Sequence, residues 1–293
     1  MTTKTSAAAS DTTTHGRYGA YNTPLAEPGA AIQRIVAELC SFSTSKASVM
    51  LQLASPGVGR GVHAHSSFTL RPVERARRSL FYIYVMAFGT PAERRRVTDA
   101  THRAHMRVRK PGEAGYDAND EDLQLWVAAT IYWGLVVGYE EVLGKLDDKT
   151  ADQAYREFSI MATGLRVPPG KWPRDRVAFA EYWDRSISRL EVTREAREVS
   201  VDLLWPTKNL PWGLWLVTKL TGPVHRFTTI ELLPERIRND FGYPSTRYTR
   251  FMYWIKRAVD RRVYPWLPLS WRHFVMRYHM ADFRKRVATG MEL

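Results

Sequence analysis

Cysteine is almost absent from this sequence, which has one, Cys40, in 293 residues. A single cysteine cannot form an internal disulfide, and its scarcity favours a reducing compartment. The N-terminus lacks the basic start, apolar core and small-residue cleavage site of a secretory signal, so we expect a cytoplasmic protein. The spacings of zinc fingers and ribonucleoprotein motifs are also missing, which argues against nucleic acid as a partner.

Acidic residues are also few relative to basic residues. Asp and Glu number 30 against 43 Lys and Arg, and the formal net charge is +13. Such an excess suits anionic partners, among them nucleic acid, a membrane surface or an acidic cofactor. It equally suits a solvated, arginine-rich surface without any dedicated partner. Charge alone leaves both interpretations open.

Long apolar runs are limited to one stretch, Leu123–Tyr139, which contains a single amide, no formal charge and no proline. A helix that is apolar all round is enclosed either by protein or by lipid. The run is near the lower limit for crossing a bilayer, and Gln124, Thr130 and two glycines dilute it. We therefore predict a buried central helix, capped by Asn119 or Asp120.

No segment alternates apolar and polar residues long enough to predict a strand, so we expect an all-α protein. Residues 1–28 are rich in Thr, Ala, Ser and Gly and are predicted to form a flexible tail. Residues 29–293 are predicted to form one large helical domain. Helical patterns cover residues 30–42, 71–89, 90–109, 120–143, 150–165, 174–190, 193–204, 212–220 and 233–243.

The segment Tyr248–Arg286 interleaves aromatic and basic residues. Arginine and tryptophan suit the surface of an anionic membrane, so peripheral membrane contact is one interpretation. A closing pair of helices with arginine-rich outer faces is the other.

Histidines and arginines in the first half of the chain are the candidate site residues. His105 lies on the least polar face of a predicted helix, either as a hydrogen-bonded core residue or as a ligand. Asp99, His102 and His105 do not form a metal triad, because the outer two stand about 9 Å apart along the axis. His63 and His65 could share a metal in an extended segment, or one of them could face a pocket.

Arg75 and Ser79 lie one helical turn apart, so their side chains are neighbours. A solvated arginine beside a neutral serine is the simplest interpretation of this pair. A paired role at a site is the alternative.

Six segments between about Gly61 and Gly242 resemble, in this order, the MpaB-type oxygenases related to the rubber oxygenases (latex-clearing proteins). They are GVHAHSSF, RPVERARRSLFYIYVMAFGTPAERR, HRAHMRVRKPG, YDANDEDLQLWVAAT, GLRVPPGKWP and LPERIRNDFG. The resemblance implies a globin-like helical core with additional helices, and haem b held by one histidine. That histidine would be His105, which begins the His-x-x-Val-Arg pattern that ends at Arg109.

The resemblance also suggests roles for other residues. Arg75 and Ser79 look like the family's arginine and threonine near the haem, and His65 could serve on the distal side. Trp126 and Thr130 are expected to contact the cofactor, and the aromatic residues from Trp126 to Trp133 to shape an apolar substrate site. Two departures stand out: Ala128 replaces a histidine found in some relatives, and the distal glutamate of the rubber oxygenases has no match.

The implied function is haem b-dependent oxygenation of an apolar or alkene-bearing small molecule by dioxygen, in a monomer or homodimer. Two alternatives stay open. One is a non-catalytic basic helical protein that binds an anionic membrane surface or nucleic acid. The other is a haem protein for sensing or storage.

Overall fold

A computed structural model describes residues 27–65, 72–110, 112, 115–205 and 210–293. The first part of the chain forms α1 (Ala30–Ala37), α2 (Ser45–Leu53), α3 (Pro56–Ala64), α4 (Pro72–Phe88) and α5 (Pro91–His105). Next come β1 (Arg109–Lys110), β2 (Tyr116–Asp117), α6 (Glu121–Leu143), α7 (Asp148–Thr163), α8 (Arg176–Arg189) and α9 (Arg194–Leu204). The last part forms α10 (Trp212–Leu232), α11 (Glu235–Asp240), α12 (Arg247–Val263), α13 (Leu269–Arg272) and α14 (Phe274–Thr289). Short 3₁₀ helices lie at Leu39–Thr44, Pro169–Lys171 and Tyr264–Trp266.

The expected all-α fold is confirmed, and the described residues form a single domain with one contiguous core. Its β-structure, within the described residues, is one antiparallel pair that joins Arg109 to Asp117 and Lys110 to Tyr116. Of the predicted tail, residues 1–26 lie outside the described part of the chain. Glu27 is described and pairs with Arg94 of α5 at 3.2 Å.

The central helix is α6, as predicted. Asp120 caps it, because its carboxylate accepts hydrogen bonds from the backbone N–H groups of Asp122 (3.0 Å) and Leu123 (2.9 Å). Buried side chains occur on every side of α6, which packs against α1, α2, α7, α12 and the first 3₁₀ helix. Within the described residues, no helix is long and apolar enough to cross a membrane.

Glycine allows the closest of these contacts. A Cβ atom built on Gly138 would lie 2.8 Å from the carbonyl carbon of Ser41, and its oxygen is nearer still. The backbone of α6 therefore touches the backbone of the first 3₁₀ helix directly. A side chain at this position would separate the two elements.

Aromatic rings fill the opposite side of α6. Tyr132 packs edge-on against the rings of Phe158 and Phe179, at centroid distances of 5.3 and 4.9 Å. Trp126 and Trp133 each lie 5.2 Å from the ring of Trp183 in α8. The aromatic wall expected to shape a substrate site thus packs against α7 and α8 as part of the core.

Two sequence expectations were wrong in detail. His63, for which an extended segment was one interpretation, lies in the helix α3 (Pro56–Ala64). The helix that was expected to end at Leu220 continues through Pro223 to Leu232 as α10. In both places, tertiary packing overrides local glycine and proline signals.

The C-terminal helices close on the core through Glu38. This carboxylate, with a side chain only 6% exposed, pairs with the guanidinium of Arg272. It also accepts a hydrogen bond from the Tyr264 hydroxyl (2.9 Å) and contacts Nε2 of His273 at 3.2 Å. A buried charge held by three partners fixes the last helices against the start of the domain.

Candidate functional site

The candidate site forms where α5 ends and the β-hairpin begins. α5 starts at a capping box, in which Thr90 and Glu93 satisfy each other's backbone N–H groups, and it ends at His105. The chain then turns into β1, and β2 leads directly to the cap of α6. This path brings the end of α5 next to the first turn of α6.

His105 is half-buried at this junction. Burial of the ring lowers the pKa of His105 to about 4, and the charges of His102 and Arg75 act in the same direction. The imidazole is therefore neutral at physiological pH. Neutral imidazole is the form that binds a metal ion.

Gln124 of α6 lies beside His105. Its Nε2 atom stands 3.5 Å from Nδ1 of His105, and donates to the carbonyl oxygen of Ala118 (2.7 Å) and to Oδ1 of Asn119 (3.2 Å). The Asn119 side chain in turn hydrogen-bonds His102. The amide thus ties the end of α5 to the loop before α6, and it occupies the Nδ1 side of the His105 ring.

Arg75 lies in the first turns of α4, near enough for its charge to affect His105. Burial lowers the pKa of Arg75 to about 10, so the guanidinium remains charged at neutral pH. Ser79, one turn further along α4, is exposed. The structure therefore brings Arg75 towards His105 and turns Ser79 towards solvent.

His63 and His65 have different surroundings. Nε2 of His63 lies 2.9 Å from the carboxylate of Glu198 in α9. His65, at the end of α3, is half-buried and meets the ring of Tyr116 edge-on at 5.8 Å. The two side chains contact different partners, so this placement does not support a metal shared by both histidines, and that interpretation stays a prediction.

Arg109, Trp126 and Thr130 lie away from His105. Arg109 is largely exposed and pairs with Asp117 across the hairpin at 3.4 Å. At 3.6 residues per turn, Trp126 and Thr130 point roughly 160° and 120° away from Gln124 around α6. Their roles towards a cofactor stay predictions that this placement does not support.

Polar atoms of Trp126 and Thr130 have partners inside the core. Nε1 of Trp126 donates to the carbonyl oxygen of Leu51 at 3.0 Å. The Thr130 hydroxyl accepts from Gln52 and donates to the Val127 carbonyl oxygen, both at 2.8 Å. These bonds satisfy buried polar groups and hold α6 against α2.

Ala128 follows Gln124 by one turn on the same face of α6 and is fully buried. From the resemblance described above, a histidine was expected at this position in some members of the family. Ala128, which departs from the expected pattern, is therefore next to Gln124, the residue that contacts His105.

Sequence reasoning did not single out Arg166. Its backbone has φ +66°, a left-handed conformation that is costly for a residue with a side chain. Its guanidinium lies 3.4 Å from Asp99 of α5, and its charge lowers the pKa of His102, after the larger effect of burial. The loop after α7 thus adds a cation beside the end of α5. The motif GLRVPPGKWP was the available signal, because it places an arginine where glycine is usual after a helix.

The chain belongs to the family described as ER-bound oxygenase mpaB/B'/Rubber oxygenase, catalytic domain, whose sequence profile matches residues 33–261. It is 34% identical over 257 residues to the uncharacterised proteins Mb2261 of Mycobacterium bovis and Rv2237 of Mycobacterium tuberculosis. These alignments cover 84% of this chain and 98% of each relative. No solved structure matches the chain, so the globin-like character of the core stays a prediction.

Family membership suggests oxygenase chemistry, and the rubber oxygenases are associated with haem. Across the described residues, no three side chains of His, Cys, Asp or Glu come close enough to hold an ion. Haem iron needs only one or two protein ligands. A neutral, half-buried His105 with the half-buried cation Arg75 near it fits that requirement, since the arginine suits a haem propionate.

Proposed function

We propose that this chain is a haem b-dependent oxygenase that acts with dioxygen on an apolar or alkene-bearing small molecule. The single observation that carries the proposal is the state of His105, which is neutral and half-buried in the His-x-x-Val-Arg pattern. Membership of the oxygenase family supports the same chemistry. To family membership we add haem b as the cofactor and His105 as the ligand of its iron.

His105 would hold the haem iron. Gln124 takes up the Nδ1 side of the ring, which leaves Nε2 as the nitrogen for iron. Amide contact at the far nitrogen also restricts rotation of the ring. Bound haem would supply the activation of dioxygen, and the protein would supply orientation and electrostatics.

Arg75 would hold a negatively charged group of the cofactor. Burial destabilises the charged form of its guanidinium, as the lowered pKa shows, and an added carboxylate would restore stability to that form. Ser79 is proposed to act together with Arg75, and His65, whose ring meets that of Tyr116 edge-on, is proposed as a further catalytic residue. Trp126 and Thr130 would hold α6 in place through their hydrogen bonds to α2.

The test is an absorption spectrum of protein purified from haem-supplemented cells, with a pyridine haemochrome assay. We expect a Soret band and one haem b per chain. The variant His105→Ala should lose the Soret band while its circular dichroism stays helical. His63→Ala is the matched control, because this histidine is exposed and pairs with Glu198 at the surface.

Two results would contradict the ligand assignment. One is full haem retention by His105→Ala, and the other is equal loss in both variants. A colourless protein that cannot be reconstituted would remove the haem proposal and make Ala128 the residue to examine. Haem binding without oxygen consumption on any apolar substrate would indicate sensing or storage instead.

A further inference from the structure

The N-terminal half of α10 is apolar yet exposed. Between Trp212 and Val224 the only formal charge is Lys219. Trp212 is 83% exposed and Leu220 72%, and large apolar side chains between them are exposed as well, namely Trp215, Leu216 and Val217. A helix that is apolar on all sides is normally enclosed by protein or lipid. No described part of this chain encloses this one.

The length of this segment limits what could cover it. From Trp212 to Leu220 the helix rises by about 12 Å, at 1.5 Å per residue. The hydrocarbon core of a bilayer is about 30 Å thick, so the segment is too short to cross it. It is long enough to enter one leaflet.

Residue types in this segment suit a lipid interface. Tryptophan favours the boundary between headgroups and acyl chains, because its ring is apolar and its N–H is polar. The Nζ atom of Lys219 lies 5.6 Å from the centroid of the Trp215 ring. A lysine placed in this way can extend its charge to the headgroups while its stem stays among apolar groups.

Two cations lie near each other just beyond the C-terminal end of the segment. Lys46 of α2 and Arg226 of α10 are near each other; burial, and then the Arg226 charge, lower the pKa of Lys46 to about 8. The charge of Lys46 also lowers the pKa of the neighbouring His225, after the effect of burial. Like charges held together in this way would gain stability from an anion.

On α12, which packs against α10, exposed aromatic side chains again lie beside cations. On α12, Phe251 and Trp254 are exposed and stack at a centroid distance of 6.4 Å. The arginines Arg247 and Arg250 are exposed on the same face of this helix. An aromatic surface flanked by cations complements an anionic lipid surface.

We propose that the N-terminal half of α10 inserts into one leaflet of an anionic bilayer, with Lys46, Arg226 and the α12 arginines at the headgroups. The inference does not depend on haem or on the reaction. It concerns a surface made by α10 and α12, whereas the proposed iron ligand lies at the end of α5.

The experiment is flotation of the full chain with vesicles of phosphatidylcholine mixed with phosphatidylglycerol, and with vesicles of phosphatidylcholine alone. Val217→Glu places a charge in the apolar segment. Val201→Glu, on α9, is the matched control, because the two valines are 56% and 51% exposed. Analytical ultracentrifugation of each protein without vesicles gives its oligomeric state.

Wild-type protein should bind the anionic vesicles, and more weakly as salt rises. Val217→Glu should lower the partition coefficient about tenfold or more, since a buried apolar side chain is replaced by a charge. Val201→Glu should bind as wild type does. Equal binding by both variants, or no wild-type binding, would overturn the proposal. So would a wild-type dimer that Val217→Glu converts to a monomer without vesicle binding, because a second copy would then cover the segment.

Discussion

Replacing Gly138 by Ala tests the direct contact between α6 and the first 3₁₀ helix. The added Cβ would lie 2.8 Å from the carbonyl carbon of Ser41 and 2.9 Å from its Cα. These neighbours are backbone atoms, so no side chain can rotate away to relieve the overlap. Overpacking of this kind costs about 1–3 kcal/mol.

Helix propensity acts in the opposite direction. In an exposed helix interior, alanine is favoured over glycine by about 1 kcal/mol. Gly213, in the first turn of α10, has no atom within 4 Å of the place that a Cβ would take, so Gly213→Ala should be neutral or slightly stabilising. Two Gly→Ala changes in helices are therefore predicted to have different signs. Thermal and urea unfolding, followed by circular dichroism, would measure both. A Gly138→Ala protein as stable as wild type would refute the close contact.

The remaining predictions concern charge. Burial raises the pKa of Glu38, but hydrogen bonds from Arg272, Tyr264 and His273 outweigh it and the net pKa is lowered. Its stabilisation is thus complete above the ordinary value of 4.5 and is lost as pH falls through the folded-state pKa. Glu38→Gln should lower the free energy of unfolding at neutral pH by about 3–5 kcal/mol, and lessen the loss on acidification, as urea titrations at pH 7 and pH 4 would show. Arg166→Gly should relieve a left-handed backbone while losing the Asp99 pair, so stability should change by less than about 1 kcal/mol. The same change should raise the pKa of His102, measured by NMR titration, and an unchanged pKa would contradict the proximity of Arg166.

The central part of the fold could be predicted because its signals are local. The uncharged run from Leu123 to Tyr139 can be only a buried helix or a membrane segment, and three acidic residues mark its start. The capping box at Thr90 and Glu93 fixes the start of α5 in the same way. Such elements follow from hydrophobic pattern and capping, which act within a few residues.

Where the prediction was wrong, distant residues decide the outcome. The glycine-rich segment of α3 has low helix propensity, yet its glycines let it approach other elements closely. A Cβ atom on Gly59 would overlap the backbone of Leu53, and one on Gly61 would lie 3.2 Å from the ring of Tyr116. Packing of this kind depends on residues that are remote in sequence, so no local pattern could show it.

The candidate site could also be predicted only in part, where its residues follow a local pattern. An inward His105 follows from the least polar face of its helix, and the half-buried ring agrees with it. Gln124 was noted only as an interruption of an apolar run, because the loop that brings it beside His105 cannot be predicted from periodicity.

The Gln124 amide has two hydrogens, and the carbonyl oxygen of Ala118 and Oδ1 of Asn119 already accept them. Its 3.5 Å approach to His105 is therefore a weak contact. Because ligation through Nε2 would leave a hydrogen on Nδ1, that ring would be best held if the Gln124 amide presented its oxygen. The one amide side chain of the central apolar run thus lies beside the ring nitrogen at which the proposed ligand would need an acceptor.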